Sequence, residues 1–245
     1  MADSVIDPDT GASLEYCHLI KGPDAKRWQQ ANMIEINRLT DGRLIKGSTA
    51  TKTISFIARS KLPKHKKATY LRVVSNYRPS KADPYRVRWT VGGNKIEYAG
   101  DTSTPTANLT TAKLVFNSVV STLNVEFAIG DISDFYLFTD MDESEFVWIP
   151  IQFLNPEVMA AYELEDLIID GRVLAEISKG MYGLPQAGRL PYDQLVLKLG
   201  RNGYYPCKIL SVQENSRFVA PCYAPRPFSL VVDNFGIKYV GKQYA

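Results

Sequence analysis

Apolar residues recur with a period of two along some stretches of this chain and with a period near 3.6 along others, which divides it into predicted strands and helices. Pro23 and Asp24 open a predicted helix whose apolar positions Trp28, Ala31, Ile34 and Leu39 share one face and which stops near Gly42. TISFIARSK and ATYLRVVSNYR are rich in strand formers; joined by LPKHKK, they read as an extended hairpin with a cationic tip. YRVRWTVGGNKIEY continues in the same manner, with Gly92-Gly93 as a turn between strands. Thr110 is placed to cap a core helix whose stripe is Ala112, Val115, Phe116, Val119, Val120 and Leu123. VEFAIGD then predicts a strand ending at Asp131. Asn155 and Pro156 start a helix running to about Ile168, RVLAEISK is a strand that enters a Gly/Pro/Gln-rich turn, and LPYDQLVLKLGRNG is a helix stopped by Gly203. FSLVVDNFGIKYVG is a hairpin with Asp233 and Asn234 at its turn, while residues 1–22 show no periodicity and read as a poorly ordered lead-in.

Composition sets the class. The 245 residues are 45% hydrophobic, enough for a folded core in one large domain or two intimate ones. The acidic, polar start MADSVIDPDTGAS is unlike a signal or transit peptide, and no apolar run approaches a membrane span, so the expectation is an intracellular protein, cytoplasmic or nuclear, without membrane contact. Cys17, Cys207 and Cys222 have neither metal-ligand spacing nor the even count of a disulfide framework.

Charge is segregated. Arg59 to Lys95 holds eleven Lys or Arg against the single acid Asp83, whereas Asp131 to Asp170 holds eleven Asp or Glu and no Lys or Arg. A cationic segment interleaved with Tyr70, Tyr77, Tyr85 and Trp89 has what a phosphate backbone and stacked bases require, although a solvated basic face gives the same charge pattern. The acidic tip of the last hairpin has two meanings as well. Asp233 and Asn234 suit a tight turn by geometry alone, and Asp233 held on a rigid hairpin also suits a hard divalent cation.

Three blocks in order bear on that choice: IGDISDFYL, KGMYGLPQAGR and FSLVVDNFGIKYVGK. Together with WQQANMIEINRL and RVRWTVGG upstream, they resemble the reverse transcriptase domain of copia-type LTR retrotransposons over about residues 14–245. The resemblance implies an α+β fold, a right-hand polymerase of fingers and palm whose antiparallel palm sheet packs on helices. It divides the chain into the lead-in 1–22, fingers with the leading helix over 23–125, palm over 126–153, a fingers–palm connection over 154–184 and palm again over 185–245. The thumb, RNase H and integrase of such a polyprotein are expected to lie outside this sequence, as partners in a full-length element.

By the same resemblance Asp131 and Asp233, 102 positions apart, hold two Mg2+ ions, for which Mn2+ is a possible substitute, with the backbone carbonyl of Ile132 assisting. Asn234 stands where the family pairs a second aspartate. Arg88, with Arg86 as a second, clamps the incoming dNTP triphosphate; Tyr136 is the gate against a ribose 2′-hydroxyl; Asp134 and Phe135 line the pocket; and Gln186 touches the nucleotide in a turn shaped by Gly183 and Pro185. Lys64, Lys66, Lys67, Arg72 and Arg78 are the expected contacts to an RNA or DNA template-primer. The implied activity is RNA-directed DNA polymerisation. The alternative is a catalytically impaired retroelement remnant that only binds nucleic acid.

Overall fold

The computed structural model describes residues 5–7, 10–104, 109–204, 228–231 and 234–240. They form two compact units, one drawn from residues 1–99 and 136–187 and the other from 100–135 and 188–245. In chain order the elements among them are α1 (Tyr16–Leu19), α2 (Ala25–Leu39), β1 (Ile54–Ile57), β2 (Thr69–Tyr77), β3 (Tyr85–Val91), α3 (Leu109–Val120), β4 (Val125–Asp131), β5 (Asp140–Pro150), α4 (Pro156–Ala161), β6 (Arg172–Lys179), α5 (Arg189–Arg201), β7 (Phe228–Val231) and β8 (Asn234–Val240). No helix among the described residues is long and apolar enough to cross a membrane.

The first unit is a five-stranded sheet in the order β1-β6-β5-β2-β3, antiparallel except for a short parallel contact between β2 and β5. The expected hairpin around LPKHKK does not form: β1 pairs with β6, Ile54 opposite Ile177, and the loop is instead a crossover to β2. Alternation fixes which face of a strand is buried and is silent on its neighbour. The expected strand after Gly92-Gly93 is also absent, because Gly93–Lys95 close a single 3-10 turn. Nor is the start a bare lead-in. Ile6 bridges to Ser13, and Tyr16 and Leu19 of α1 are buried; four helical residues are too few to register as a period.

Helix α2 carries the core. Its buried stripe is Trp28, Ala31, Asn32, Glu35, Ile36 and Leu39, and Ile34, expected on that face, is exposed. At about 100° per residue, Ile34 falls outside an arc that Asn32 and Glu35 occupy. Both polar side chains are satisfied. Asn32 accepts from Trp89 Nε1 at 2.7 Å and donates to the Phe153 carbonyl at 2.7 Å, while Glu35 accepts from Arg38 at 2.7 Å and from the Trp89 backbone N–H at 3.3 Å. Burial nonetheless pushes the Glu35 carboxyl above its ordinary value, the Arg38 cation opposing it.

Helix α4 is capped as expected, the Asn155 side chain accepting from the Val158 N–H at 3.2 Å with Pro156 in the first turn. It ends at Ala161 and not near Ile168, for Glu163 turns left-handed at φ +50. That backbone cannot continue a right-handed helix.

The second unit is a three-stranded antiparallel sheet, β4-β8-β7. β7 and β8 pair as the expected hairpin, with Val231 opposite Asn234, which puts Asn234 on β8; the expected turn at Asp233 lies outside the described residues. Tyr192 and Leu195 of α5 pack with Phe235 and Ile237 of β8. Helix α3 departs from its expected core role: Val115 is buried, yet Phe116 is 54% and Val120 86% exposed, and Leu123 beyond it is 85% exposed. The period marks an amphipathic helix truly, but among the described residues much of its apolar face is uncovered.

Candidate functional site

The first unit gathers a cationic and aromatic cluster at one end of β3. Arg86 and Arg88 alternate with the buried Val87 and Trp89, so both guanidinium groups leave the strand on the face away from the α2 core. Arg88 opposes Val74 and Arg86 opposes Asn76 on β2. The Arg88 guanidinium lies 5.0 Å from the ring centre of Tyr182, and that ring meets Tyr136 edge-on at 5.4 Å. Burial, and after it the cations of Arg88 and Arg78, hold Arg86 below its ordinary pKa. The Nε atoms of Arg78 and Arg88 are buried without a hydrogen-bond partner among the described residues. An anion with several oxygens would supply what these groups lack.

Gln186 joins the same unit from the 181–187 turn. It is 3% exposed, its Nε2 lies 3.7 Å from Met141 Sδ, and its Oε1 is buried without a partner among the described residues. The turn is fixed against β3: the Val91 N–H donates to the Tyr182 carbonyl at 2.8 Å, and Gly183 sits at φ +93, where a Cβ would overlap the Val91 carbonyl oxygen. Gly183→Ala is therefore expected to combine a left-handed strain of about 1–2 kcal/mol with a backbone clash and to lower the melting temperature by several degrees. A parent-like thermal unfolding curve would count against this packing.

The second unit holds the first acidic motif. Asp131 is the last residue of β4, exposed, with Asn234 of β8 as its Cα partner across the antiparallel ladder. Ile132 and Asp134 are half-buried, Asp134 at φ +55, and Phe135 is buried. Asp233 lies outside the described residues. Among those described, no group of three or more His, Cys, Asp or Glu is placed to hold a metal ion. One exposed carboxylate at a strand end still suits Mg2+, which takes one or two protein carboxylates and draws its remaining oxygens from water and substrate phosphate.

The basic segment divides on folding. Lys64, Lys67 and Arg72 are exposed, but Lys66 is held by Glu143 at 3.0 Å and Glu145 at 3.1 Å, so it is not a free phosphate contact. Trp89, expected as a stacking surface, is fully buried, and Tyr85 packs edge-on against Trp28 at 4.9 Å. Tyr70 and Tyr77 remain exposed. Tyr182 went unrecognised in the sequence; its signal was an aromatic inside a glycine-rich turn, which spacing alone does not tie to Arg88.

The chain matches no protein-family model and no curated protein.

Proposed function

We propose that this chain is the fingers and palm of a copia-type reverse transcriptase, transferring nucleotidyl groups from dNTPs to a primer on an RNA or DNA template. The observation that carries the reading is the pairing of β4 with β8, which sets Asp131 opposite Asn234 although the two blocks are about a hundred positions apart. The buried Nε atoms of Arg78 and Arg88, which have no hydrogen-bond partner among the described residues, and the Arg86 cation beside them add a demand for negative charge.

In this reading Arg86 and Arg88 hold the triphosphate oxygens, Arg88 being oriented by the Tyr182 ring. Gln186 offers its buried amide to the nucleotide, and Tyr136, braced by Tyr182, stands beneath the sugar. Asp131, Asp233 and the Ile132 carbonyl are the residues that would hold Mg2+, which when bound supplies charge neutralisation at the triphosphate and the primer hydroxyl. Asn234 favours the second reading, a remnant that binds nucleic acid without polymerising, because an amide leaves the site one negative charge short.

Tyr136→Ala tests the assignment. It is expected to admit ribonucleoside triphosphates about tenfold better, as one lost steric contact allows, while dNTP binding changes little. Equal exclusion of ribonucleotides by parent and variant, measured by competition against a labelled dNTP in Mg2+, removes Tyr136 from the sugar pocket.

A further inference from the structure

We infer that the first unit carries a second nucleic-acid site, a stacking platform of Tyr70 and Trp148 flanked by Arg59, Lys95 and Arg172, which takes single-stranded RNA or DNA. None of the five residues belongs to the Arg86, Arg88 and Gln186 group, and the inference holds whether or not the chain polymerises.

Tyr70 on β2 and Trp148 on β5 are Cα partners where these two strands run parallel. Their chain neighbours Thr69, Leu71, Val147 and Ile149 are all buried, so alternation turns both rings to the opposite face of the sheet. Adjacent strands are about 4.8 Å apart, which stands the two rings side by side. Tyr70 is 42% exposed and pre-set: its ring covers Gly92, where a Cβ would overlap it, and its hydroxyl donates to Asn94 Oδ1 at 2.9 Å. Little side-chain freedom remains to be lost on binding.

Cations surround the rings. Lys95 Nζ lies 5.2 Å from the Tyr70 ring centre, and the Arg172 and Arg59 guanidinium groups lie 5.3 Å and 6.0 Å from that of Trp148. Arg59 and Lys95 have no acidic partner among the described residues, and Arg172 has only the exposed Asp170 at 4.0 Å. A cleft of about 290 Å³ lies between Tyr70, Trp148, Lys95 and Arg172. It shares Lys95 with a cleft of about 330 Å³ beside Lys67, and Tyr70 with one of about 240 Å³ beside Arg72. Glu97, Glu143 and Glu145 also line the cleft beside Lys67, so the platform is the cleft between Tyr70 and Trp148 itself.

Rings with cations packed over them and an open cleft alongside match single-stranded nucleic acid, in which bases stack and phosphates follow. A duplex keeps its bases inside and would leave the rings unused. An acidic peptide would use the cations alone.

Fluorescence reads the site directly, because Trp28 and Trp89 are buried and Trp148 is the tryptophan open to a ligand. Titrating the full chain with a thymidylate dodecamer is expected to quench emission, and Trp148→Phe should abolish the quench while retaining most of the affinity. By anisotropy, Tyr70→Ala and Trp148→Ala should each weaken binding about tenfold, as the loss of one stacked base does. Arg88→Ala should leave it unchanged. Should the ring variants unfold, Lys95→Gln with Arg172→Gln, both at the surface, should weaken binding and flatten its salt dependence. Equal affinity for an abasic oligonucleotide or for polyglutamate, or a loss in Arg88→Ala that the ring and cation variants do not share, would overturn the platform. Primer extension is scored separately, so an inactive chain that binds through these rings keeps the platform and loses the polymerase.

Discussion

Asp131→Asn is expected to lower primer extension by about a thousandfold while leaving the fold intact. Asp131 ends β4 with its side chain exposed, so the isosteric amide changes no core contact and keeps the backbone pairing to Asn234. What disappears is charge. In the proposed site Asp131 is one of two carboxylates available to a divalent cation, since the neighbouring position on β8 is already an amide. Losing a preorganised electrostatic partner of the transition state costs about 10²–10³ in rate, and loss of a metal ligand reaches the upper end. Thermal unfolding and template affinity measured beside activity separate this from damage to the fold. Undiminished extension by the variant would show that Asp131 is not a ligand.

The largest effect on stability is expected at Trp89. Its side chain is fully buried in the first unit, and its Nε1–H donates to Asn32, which in turn holds the Phe153 carbonyl. Trp89→Ala opens a cavity and leaves the Asn32 amide oxygen without that donor, for which about 3–5 kcal/mol is expected, the larger part from the cavity. Against a domain stability of about 5–15 kcal/mol, that is enough to unfold much of the unit near physiological temperature. Trp89→Phe fills most of the volume and isolates the hydrogen bond, so it should cost about 1–3 kcal/mol. Denaturant unfolding of both variants checks the division; a parent-like Trp89→Phe would mean that the Asn32 link contributes nothing, and equal losses in the two variants would mean that the cavity adds nothing.

The same residue shows where the sequence is readable. Alternation in YRVRWTV separates Val87, Trp89 and Val91 from Arg86 and Arg88, and the structure turns the two sets to opposite faces. Alternation did not say that the aromatic in this cationic stretch belongs to the core, because a tryptophan among arginines satisfies a stacking surface and a buried anchor equally well. Lys66 went astray for a related reason: its partners Glu143 and Glu145 lie nearly eighty positions away on β5, beyond any local pattern. In α2 hydrophobicity chose Ile34 over Asn32 and Glu35, since a scale that scores residues singly cannot see that both polar groups meet partners inside. Hairpin chemistry is local, and β7–β8 was legible; strand order is not, and the β1–β6 pairing was invisible.

Asn234 concentrates what is at stake, because it faces Asp131 across the ladder where the proposed chemistry needs negative charge. An amide suits the strand as well as a carboxylate does, so Asn234→Asp should alter charge without altering structure. The most direct measurement is extension of a labelled primer on an RNA template by the full chain with dNTPs and Mg2+, comparing parent and Asn234→Asp at matched thermal stability. The account predicts slow extension by the parent and faster extension by Asn234→Asp. Absence of extension from both, with template binding intact, would contradict it and leave a nucleic-acid-binding remnant.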